Sequence, residues 1–369
     1  MPVTDALVVG GGIIGAAAAR SLALTGLSVG IIDSGTEAGI ATQASAGMLA
    51  PLAETVIDDP LLGVYIRARD LYSELAPLLK DETGADIALW TNGILKIAFS
   101  QEDEDEARHC IAWQRQQGLN SEWLTPEDLR DRCSGLTDQV RGALLSPEDG
   151  ALDPLALLEG LLVSAANHGA RIARRERATR VLIEDGRVTG VETDRAKYAT
   201  GAVVLAAGAW SRRVEGLPRP LSVQPIRGQM VAFDWPPDEP PAIIYTGTGY
   251  ILKRGAELVA GSTMEHVGYD ASVTDAGIER VQANATRLYP ALDGAPVRRR
   301  WAGLRPGTPD GQPIIGQDPD VEGLWYATGH GRNGILLAGI TGEILAGLFT
   351  DEPLEYDLAP LAPGRFWSE

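Results

Sequence analysis

The fold is decided near the start of the chain by the stretch VVGGGIIG at residues 8–15. Residues 6–9 are apolar and predict a buried strand, and residues 13–24 have the apolar spacing of a helix. Gly10, Gly12 and Gly15 therefore fall, as G-x-G-x-x-G, in the turn between a strand and a helix. A second predicted strand, residues 28–32, ends at Asp33, close to the separation of about 20 residues that a dinucleotide fingerprint has.

Each part of this motif has a physical role in binding a dinucleotide. Gly10 allows the tight turn, Gly12 lets a pyrophosphate approach the backbone, and Gly15 lets the helix pack closely on the strand. The free N–H groups at the start of the helix attract phosphate. Asp33 can accept hydrogen bonds from ribose hydroxyls. The motif alone leaves FAD and NAD equally open, and a glycine-rich turn of another α/β fold is the alternative to both.

Composition limits the class of protein and its partners. The chain has 369 residues, of which 43 are glycine, and no G-X-Y repeat explains that excess, so the glycines should mark special backbone positions. The formal net charge of −18 argues against nucleic acid and anionic membranes as partners. Cys110 and Cys133 form no disulfide framework or metal-ligand pattern, so we expect no metal, reduced thiols and a cytoplasmic protein. No stretch has the length of a membrane span or the pattern of a signal peptide.

Strand–helix units recur in the middle and at the end of the sequence. Further helices are predicted at residues 61–79, 102–117, 154–168, 276–288 and 335–348. Strands are predicted at residues 202–206, 230–233, 250–253, 258–260 and 324–327, with a hairpin of residues 180–184 and 187–192 around Asp185-Gly186. This pattern predicts an α/β fold of two interleaved domains. A Rossmann-like domain would comprise residues 1–84, 148–218 and 303–369, and a mainly antiparallel α+β substrate domain residues 85–147 and 219–302.

A second glycine-rich turn favours FAD over NAD. The sequence GHGRNG at residues 329–334 precedes the last predicted helix, whose N-terminus could face the flavin where negative charge collects on reduction. The chain has no second fingerprint for a nicotinamide cofactor and no C-x-x-C motif of a disulfide reductase. One dinucleotide site formed by both ends of the chain is typical of flavoproteins.

Five stretches carry a resemblance to a known family: ASAGMLAP (44–51), AAGAWS (206–211), PIRGQ (225–229), WAGLRPGTPDG (301–311) and GHGRNGILLA (329–338). Over nearly its whole length the chain resembles the FAD-dependent amine oxidases of the D-amino acid oxidase and sarcosine oxidase superfamily, and glycine oxidases most. The resemblance implies hydride transfer from the substrate α-carbon to flavin N5, reoxidation by O2 with release of hydrogen peroxide, and hydrolysis of the imine to glyoxylate and ammonia.

The resemblance also implies partners and the mode of cofactor binding. Substrates would be glycine, sarcosine or small D-amino acids; the protein would form a homo-oligomer and could supply glycine imine for thiamine thiazole synthesis. Sarcosine oxidases hold their flavin through a cysteine, and Gly303 stands at that position here, so we expect non-covalent FAD. Two alternatives remain: a D-amino acid or sarcosine dehydrogenase that passes electrons to a carrier, and a flavin-binding scaffold without turnover.

Arg305 is the strongest candidate in the substrate site. It lies in the apolar context WAGLRPG, where an unpaired guanidinium is unfavourable, and its planar fork suits a carboxylate. A structural ion pair is the alternative. By resemblance Arg305 binds the substrate carboxylate, Tyr250 and Tyr245 assist it, Met264 walls the pocket, and Arg332 lies beside the flavin or substrate. From sequence alone, tyrosine and methionine in such positions are more often core residues, so the roles of Tyr250 and Met264 rest on the resemblance.

The remaining candidates are assigned to the cofactor. Glu54 lies near the first cofactor loop. Lys253 and Arg254, which follow the Tyr250 strand, are less typical of glycine oxidases. The predicted FAD-binding residues are Gly10, Gly12, Ile13, Ile14, Gly15, Asp33, Ser45, Ala46, Gly47, Met48, Val181, Ala207, Gly208, Trp210, Gly331, Arg332, Asn333, Gly334 and Ile335.

Overall fold

A computed structural model describes residues 3–35, 39–54, 57–235 and 241–367. In chain order its strands are β1 (Ala6–Val9), β2 (Val29–Asp33), β3 (Met48–Leu49), β4 (Ile94–Ala98), β5 (Glu122–Leu124), β6 (Gly142–Ser146), β7 (Gly150–Ala151), β8 (Arg171–Arg174), β9 (Ala178–Glu184), β10 (Arg187–Thr193), β11 (Lys197–Ala199), β12 (Val203–Leu205), β13 (Gln224–Asp234), β14 (Ile243–Thr246), β15 (Gly249–Arg254), β16 (Glu257–Gly261), β17 (Arg299–Gly307), β18 (Ile314–Gln317) and β19 (Leu324–Thr328).

The helices are α1 (Ile13–Leu24), α2 (Ala41–Ala44), α3 (Leu62–Thr83), α4 (Gln101–Gln116), α5 (Pro126–Arg132), α6 (Pro154–Asn167), α7 (Asp275–Leu288) and α8 (Gly334–Thr350). Six of the described helices lie at the predicted places, and two short ones, α2 and α5, were not predicted. Short 3-10 turns occur at Gly208–Arg213, Pro290–Leu292, Ala359–Leu361 and Pro363–Phe366. In the described ranges, no helix is long and apolar enough to span a membrane.

The first sheet is the nucleotide-binding layer that the opening motif predicts. Its strand order is β18-β19-β12-β1-β2-β8, and every pair is parallel except β18 with β19. Strand β1 is fully buried because its four residues, ALVV, are covered on both faces, as expected in a parallel sheet. The sheet joins strands from the start, middle and end of the chain, so the carboxyl ends of β1, β12 and β19 meet at one edge.

Helix α1 packs on this sheet and against α6 and α8. Its buried face consists mainly of alanine, which allows close helix approach, and Gly342 of α8 extends this contact. A Cβ added at Gly342 would lie 2.8 Å from the carbonyl oxygen of Ala17, which is closer than real contacts allow. Small residues at these positions therefore set the spacing of the two helices that point at the site.

The second large sheet has the order β17-β13-β16-β15-β14-β4-β6-β5. Its pairs are antiparallel apart from the parallel pair of β14 with β4, so the predicted α/β fold with a mainly antiparallel second layer is confirmed. Five strands of this sheet were not predicted from the sequence, namely β4, β5, β6, β14 and β17, and β17 crosses the predicted domain boundary at residue 303. The division into domains itself stays a prediction. A small sheet, β11-β10-β9, contains the hairpin around Asp185-Gly186.

Candidate functional site

A cavity of about 770 Å³ lies at the carboxyl edge of the first sheet and reaches the second sheet. This volume is within the range of about 300–1,000 Å³ of small-molecule sites. Its wall is formed by the turn after β1, the end of β2, the segment 40–50, the start of the turn Gly208–Arg213, and residues of β14, β15 and β17. The turn before α8 completes it, so both glycine-rich turns contribute to one cavity.

The dinucleotide motif forms one end of the cavity. Gly10 has φ +109°, and a Cβ there would overlap the carbonyl oxygen of Ala206 on the neighbouring strand, which explains the need for glycine. Gly12 caps α1 in extended conformation with no side chain of its own at the helix start. Gly11 N–H donates to Asp33 Oδ1 at 3.1 Å, which leaves Asp33 Oδ2 for a ligand hydroxyl. Thr42, which the sequence analysis missed, accepts from Ile13 N–H at 3.1 Å.

The second glycine-rich turn lies at the start of α8. Asn333 caps this helix without a side-chain hydrogen bond to it, so the helix start is open toward the cavity that Asn333 lines. Gly331 has φ +54°, a conformation that favours glycine, and a Cβ there would meet no protein atom within 4 Å. His330 is 2% exposed and its Nε2 shares a hydrogen bond of 3.0 Å with Thr341 Oγ1. Burial lowers the pKa of His330 to about 3, so its imidazole is neutral.

The segment 44–48 connects the two ends of the cavity. Its carbonyl oxygens contact the second sheet: Trp301 Nε1 donates to Ala44 O at 3.1 Å, and Arg254 Nη2 donates to Ser45 O at 2.8 Å and to Ala46 O. Gly47 has φ +88°, and a Cβ there would overlap the carbonyl oxygen of Leu152. Ser45, Ala46, Gly47 and Met48 all line the cavity, as expected for cofactor residues.

Arg305 lies on β17 of the second sheet and lines the same cavity as the dinucleotide motif. Its side chain is half-buried; Nη2 donates to Ser262 Oγ at 2.6 Å and Nη1 to Thr263 O at 3.3 Å. Gly228 on the paired strand leaves room for it, since a Cβ there would lie 2.6 Å from Cζ. Among the described residues no carboxylate forms an ion pair with Arg305, so the structural ion pair considered above is absent from this part of the chain.

A second arginine near Arg305 already has its charge balanced by a carboxylate. Arg332 Nη2 lies 2.5 Å from Glu54 Oε1 and donates to Tyr245 Oη at 3.0 Å. Burial acts against the charge of Arg332, but Glu54 outweighs it and raises the Arg332 pKa. Of the two arginines near Tyr245 and Tyr250, Arg332 thus has an acidic partner and Arg305 has none among the described residues. This makes Arg305 the group that can accept an anionic ligand.

The turn that carries Glu54 is held from outside the cavity by buried polar groups that the sequence analysis did not identify. Asp149 is fully buried, and its Oδ2 accepts from Leu52 N–H at 3.0 Å and Ala53 N–H at 2.8 Å. Arg69 balances that charge, with Nη1 3.2 Å from Asp149 Oδ1. These contacts link residues distant in sequence, and nothing in the local sequence signals them.

Tyr250 and Met264 complete the substrate end. Tyr250 pairs with Tyr245 across the hairpin of β14 and β15, and burial raises its pKa. Both tyrosines line the cavity and are half-buried. Met264 also lines the cavity and is 58% exposed, so it lies at the opening and is not a core residue. Ser262, between Tyr250 and Arg305, was not predicted.

The structure brings together almost all of the predicted site residues. Val181 is an exception: it does not line the cavity, is 1% exposed in the core, and donates its N–H to Glu215 O at 2.9 Å. Its neighbours Arg177, Ala178 and Thr179 line the cavity instead. Gly15 also lies behind the wall, where a Cβ would overlap the Gly10 carbonyl oxygen, in agreement with its predicted packing role. The residues that do line the cavity include Gly10, Gly12, Ile13, Ile14, Asp33, Ala207, Gly208, Trp210, Gly331, Arg332, Asn333, Gly334 and Ile335.

Comparison with known proteins identifies the class to which this fold and site belong. The family model described as FAD dependent oxidoreductase (DAO) matches residues 5–348. The chain therefore belongs to the FAD-dependent oxidoreductase family, and the predicted FAD dependence is confirmed.

Within that class the chain is similar to glycine oxidases. It is 34% identical to the glycine oxidase of Geobacillus kaustophilus over 367 residues, covering 98% of this chain and 97% of the relative. The crystal structure of glycine oxidase from that organism has a TM-score of 0.95 at 31% identity and covers both chains fully. The bifunctional protein ThiO/ThiG of Synechocystis sp. is 34% identical over 98% of this chain and 54% of the relative, so the chain spans about half of that protein.

The residues present fit FAD. Two helices, α1 and α8, begin at the cavity with no side-chain cap, which gives N–H donors for a pyrophosphate and for the polar edge of a flavin. His330 Nδ1 is buried and has no partner among the described residues. Gly303 lines the cavity, whereas Cys110 and Cys133 are both buried elsewhere, in agreement with non-covalent binding. No cluster of metal-ligating side chains occurs within the described ranges.

Proposed function

We propose that the chain is an oxidase of glycine and other small amines such as sarcosine and small D-amino acids. Bound FAD would accept a hydride from the substrate α-carbon, and O2 would reoxidise it with release of hydrogen peroxide. The imine would hydrolyse to glyoxylate and ammonia when glycine is the substrate. The similarity to glycine oxidases supports this choice of substrate class.

The observation that carries the proposal is the Arg305 guanidinium, which lines the cavity with no acidic partner among the described residues. Two fixed contacts, to Ser262 Oγ and Thr263 O, orient its planar fork. A carboxylate can supply the missing negative charge in bidentate geometry. Beside Tyr250, Arg305 offers one guanidinium for one carboxylate, which favours a small monocarboxylate amine over a dicarboxylate.

The substrate end contains groups for orientation and offers little for proton transfer. Glu54 is held in its ion pair with Arg332, and His330 is neutral with one ring nitrogen bonded to Thr341. Tyr250 has a raised pKa because it is buried, so it remains protonated and can donate a hydrogen bond. The residues would therefore accelerate the reaction by holding a neutral amine with its α-carbon in reach of the cofactor.

A panel of amines with two electron acceptors tests this function. Purified holoprotein should release hydrogen peroxide with glycine, sarcosine or D-alanine, and the same amine should bleach the flavin absorbance under anaerobic conditions. Bleaching without peroxide, together with reduction of an artificial dye, would identify a dehydrogenase instead. Absence of bleaching with every amine would contradict the proposal and favour a non-catalytic flavoprotein.

Some relatives are bifunctional ThiO/ThiG proteins, and this chain matches about half of their length. Their names support a link to thiazole synthesis. In this proposal the imine product is supplied to a thiazole synthase, and the protein acts in the cytoplasm as a homo-oligomer. When the holoprotein and glycine are mixed with a thiazole synthase and its remaining substrates, including its sulfur donor, the imine should be consumed before it hydrolyses. Undiminished glyoxylate release in that mixture would argue for a catabolic role.

A further inference from the structure

Arg254 is a charged residue that the proposed reaction does not use. It lies on β15, four residues after Tyr250, and because side chains alternate along a strand both residues share the face toward the cavity. Lys253 lies on the opposite face, with Nζ 5.7 Å from the centre of the Trp235 ring. Arg254 is half-buried and forms no ion pair with any described carboxylate, and its Nε has no described hydrogen-bond partner.

The contacts of Arg254 are made to backbone carbonyl groups of the segment 44–48. Its Nη2 donates to Ser45 O and Ala46 O, while Trp301 Nε1 donates to the preceding carbonyl, Ala44 O. Three consecutive carbonyl groups therefore face the second sheet. The segment begins just after Thr42, which bonds the start of α1, and leads to Glu54 at the substrate end. It thus spans the cavity wall from one end to the other.

This arrangement fixes the direction of the opposite peptide atoms. In a planar trans peptide the N–H points opposite to the C=O, so the N–H groups of Ala46 and Gly47 point away from Arg254. Gly47 N–H donates to Ser45 Oγ at 3.2 Å, and Ala46 N–H has no acceptor among the described residues. Ala46 and Gly47 both line the cavity. A cation on the carbonyl oxygens polarises these peptide groups and strengthens their N–H groups as donors.

We propose that Arg254 is a positioning residue that, through the peptide groups of Ser45, Ala46 and Gly47, stabilises negative charge on the flavin ring of bound FAD. Arg254 does not itself line the cavity, so it acts through the segment 44–48 without touching cofactor or substrate. The effect is a field of fixed charge and oriented dipoles in a water-poor site, where such fields act strongly. It favours the reduced cofactor, which carries more negative charge than the oxidised one.

The proposal differs from a purely structural role of Arg254 as a clamp on the segment. A clamp alone would change the affinity for FAD and the melting temperature, and the reduction potential would stay as in the wild type. A charge effect also changes the reduction potential and the affinity for sulfite, which adds to flavin as an anion. The charge effect requires bound FAD, but it can be measured without the proposed amine substrate.

The experiment uses the holoprotein and three variants: Arg254→Gln, Arg254→Lys and, as a matched control on the other face of the same strand, Lys253→Gln. Sulfite is titrated against the flavin absorbance, and the midpoint potential is measured against a reference dye. We expect Arg254→Gln to weaken sulfite binding about tenfold or more and to lower the midpoint potential. Arg254→Lys, which keeps the charge, should stay within about threefold of the wild type. Lys253→Gln should match the wild type.

Wild-type sulfite affinity and potential in Arg254→Gln would overturn the proposal, as would equal losses in Arg254→Gln and Arg254→Lys. If Arg254→Gln fails to retain FAD, Arg254→Lys decides alone: near wild-type sulfite binding supports the charge effect, and a loss of tenfold or more contradicts it. Because sulfite needs no amine, this test can fail while glycine oxidation stands, and the amine panel can fail while this proposal stands.

Discussion

Two arginines in one cavity have different roles because only one has an acidic partner. Arg332 is paired with Glu54, whereas Arg305 is bonded to a hydroxyl and a carbonyl oxygen. The sequence analysis predicted both arginines, but it could not decide which of them is free. That distinction depends on Glu54, which lies far from both in sequence and which the analysis placed only near the cofactor loop.

Replacing Arg305 with alanine should raise the KM for amino acid substrates. Loss of charge-assisted hydrogen bonds to the carboxylate costs about 1.5–3 kcal/mol, or roughly 10- to 100-fold in KM. Steady-state peroxide release at varied glycine measures it. Arg300→Ala is the matched control, because Arg300 is exposed on the same strand and lies 3.6 Å from Asp275. An unchanged KM in Arg305→Ala would remove the role assigned to this residue.

Replacing Glu54 with glutamine should change the charge that the cavity accepts. The substitution frees Arg332, so the substrate end then holds two unpaired guanidinium groups. Dicarboxylate inhibitors such as malonate should bind about tenfold more tightly than to the wild type, while acetate should change little. Inhibition constants from peroxide assays measure both. Glu74→Gln, at an exposed ion pair with Arg67, serves as the control. A gain for acetate as large as for malonate would contradict this assignment.

At the scale of elements, α1 and α8 bring both glycine-rich turns to one cavity. Their contact depends on small residues, since a Cβ at Gly342 would press on the Ala17 carbonyl. The Rossmann unit was predictable because its strand, turn and helix are adjacent in sequence and have a distinctive spacing. Strand β4 was missed because its partner β14 lies about 150 residues further along the chain, and β6 and β5 join the sheet only through β4.

The helix contact leads to a paired stability prediction. Gly342→Ala should destabilise the protein by about 1–3 kcal/mol, because the methyl group overlaps α1. Gly339→Ala on the same helix should be neutral or stabilising by up to about 1 kcal/mol, since a Cβ there has its nearest neighbours at 3.9 Å. Chemical unfolding followed by circular dichroism measures both. Equal effects of the two substitutions would show that the helix spacing does not depend on Gly342.

At the scale of the whole molecule, sequence reasoning found the cofactor and the layers but few of the supporting contacts. The bond from Ile13 to Thr42 spans 29 positions and that from Arg254 to Ser45 spans 209. Such contacts depend on how distant segments pack, which no local pattern records. Val181 was predicted at the cofactor, but in the structure only the first residues of its strand line the cavity, and Val181 lies deeper in the core.

Because His330 is buried, the free energy of unfolding should decrease as the pH falls. Its pKa is about 3 in the folded protein and about 6.5 when unfolded, so the unfolded chain binds more protons between these values. Stability from this group is present above pH 6.5 and is lost as the pH falls toward 3. His330→Gln should therefore lose less free energy of unfolding than the wild type between pH 6.5 and 4. Urea titrations at several pH values measure this, with the exposed His109→Gln as control. Parallel pH curves for wild type and His330→Gln would contradict the assignment.

The strand order of the first sheet has a consequence for the newly made chain. Strand β1 is synthesised well before β19, which completes the sheet beside β12, and before helix α8, which packs on α1. Until these emerge, the part of α1 that packs on α8 is uncovered and the cavity lacks one wall. This sheet can therefore be completed only after α8 has been synthesised, and a nascent chain stalled before residue 324 should be a chaperone client that cannot yet take up FAD.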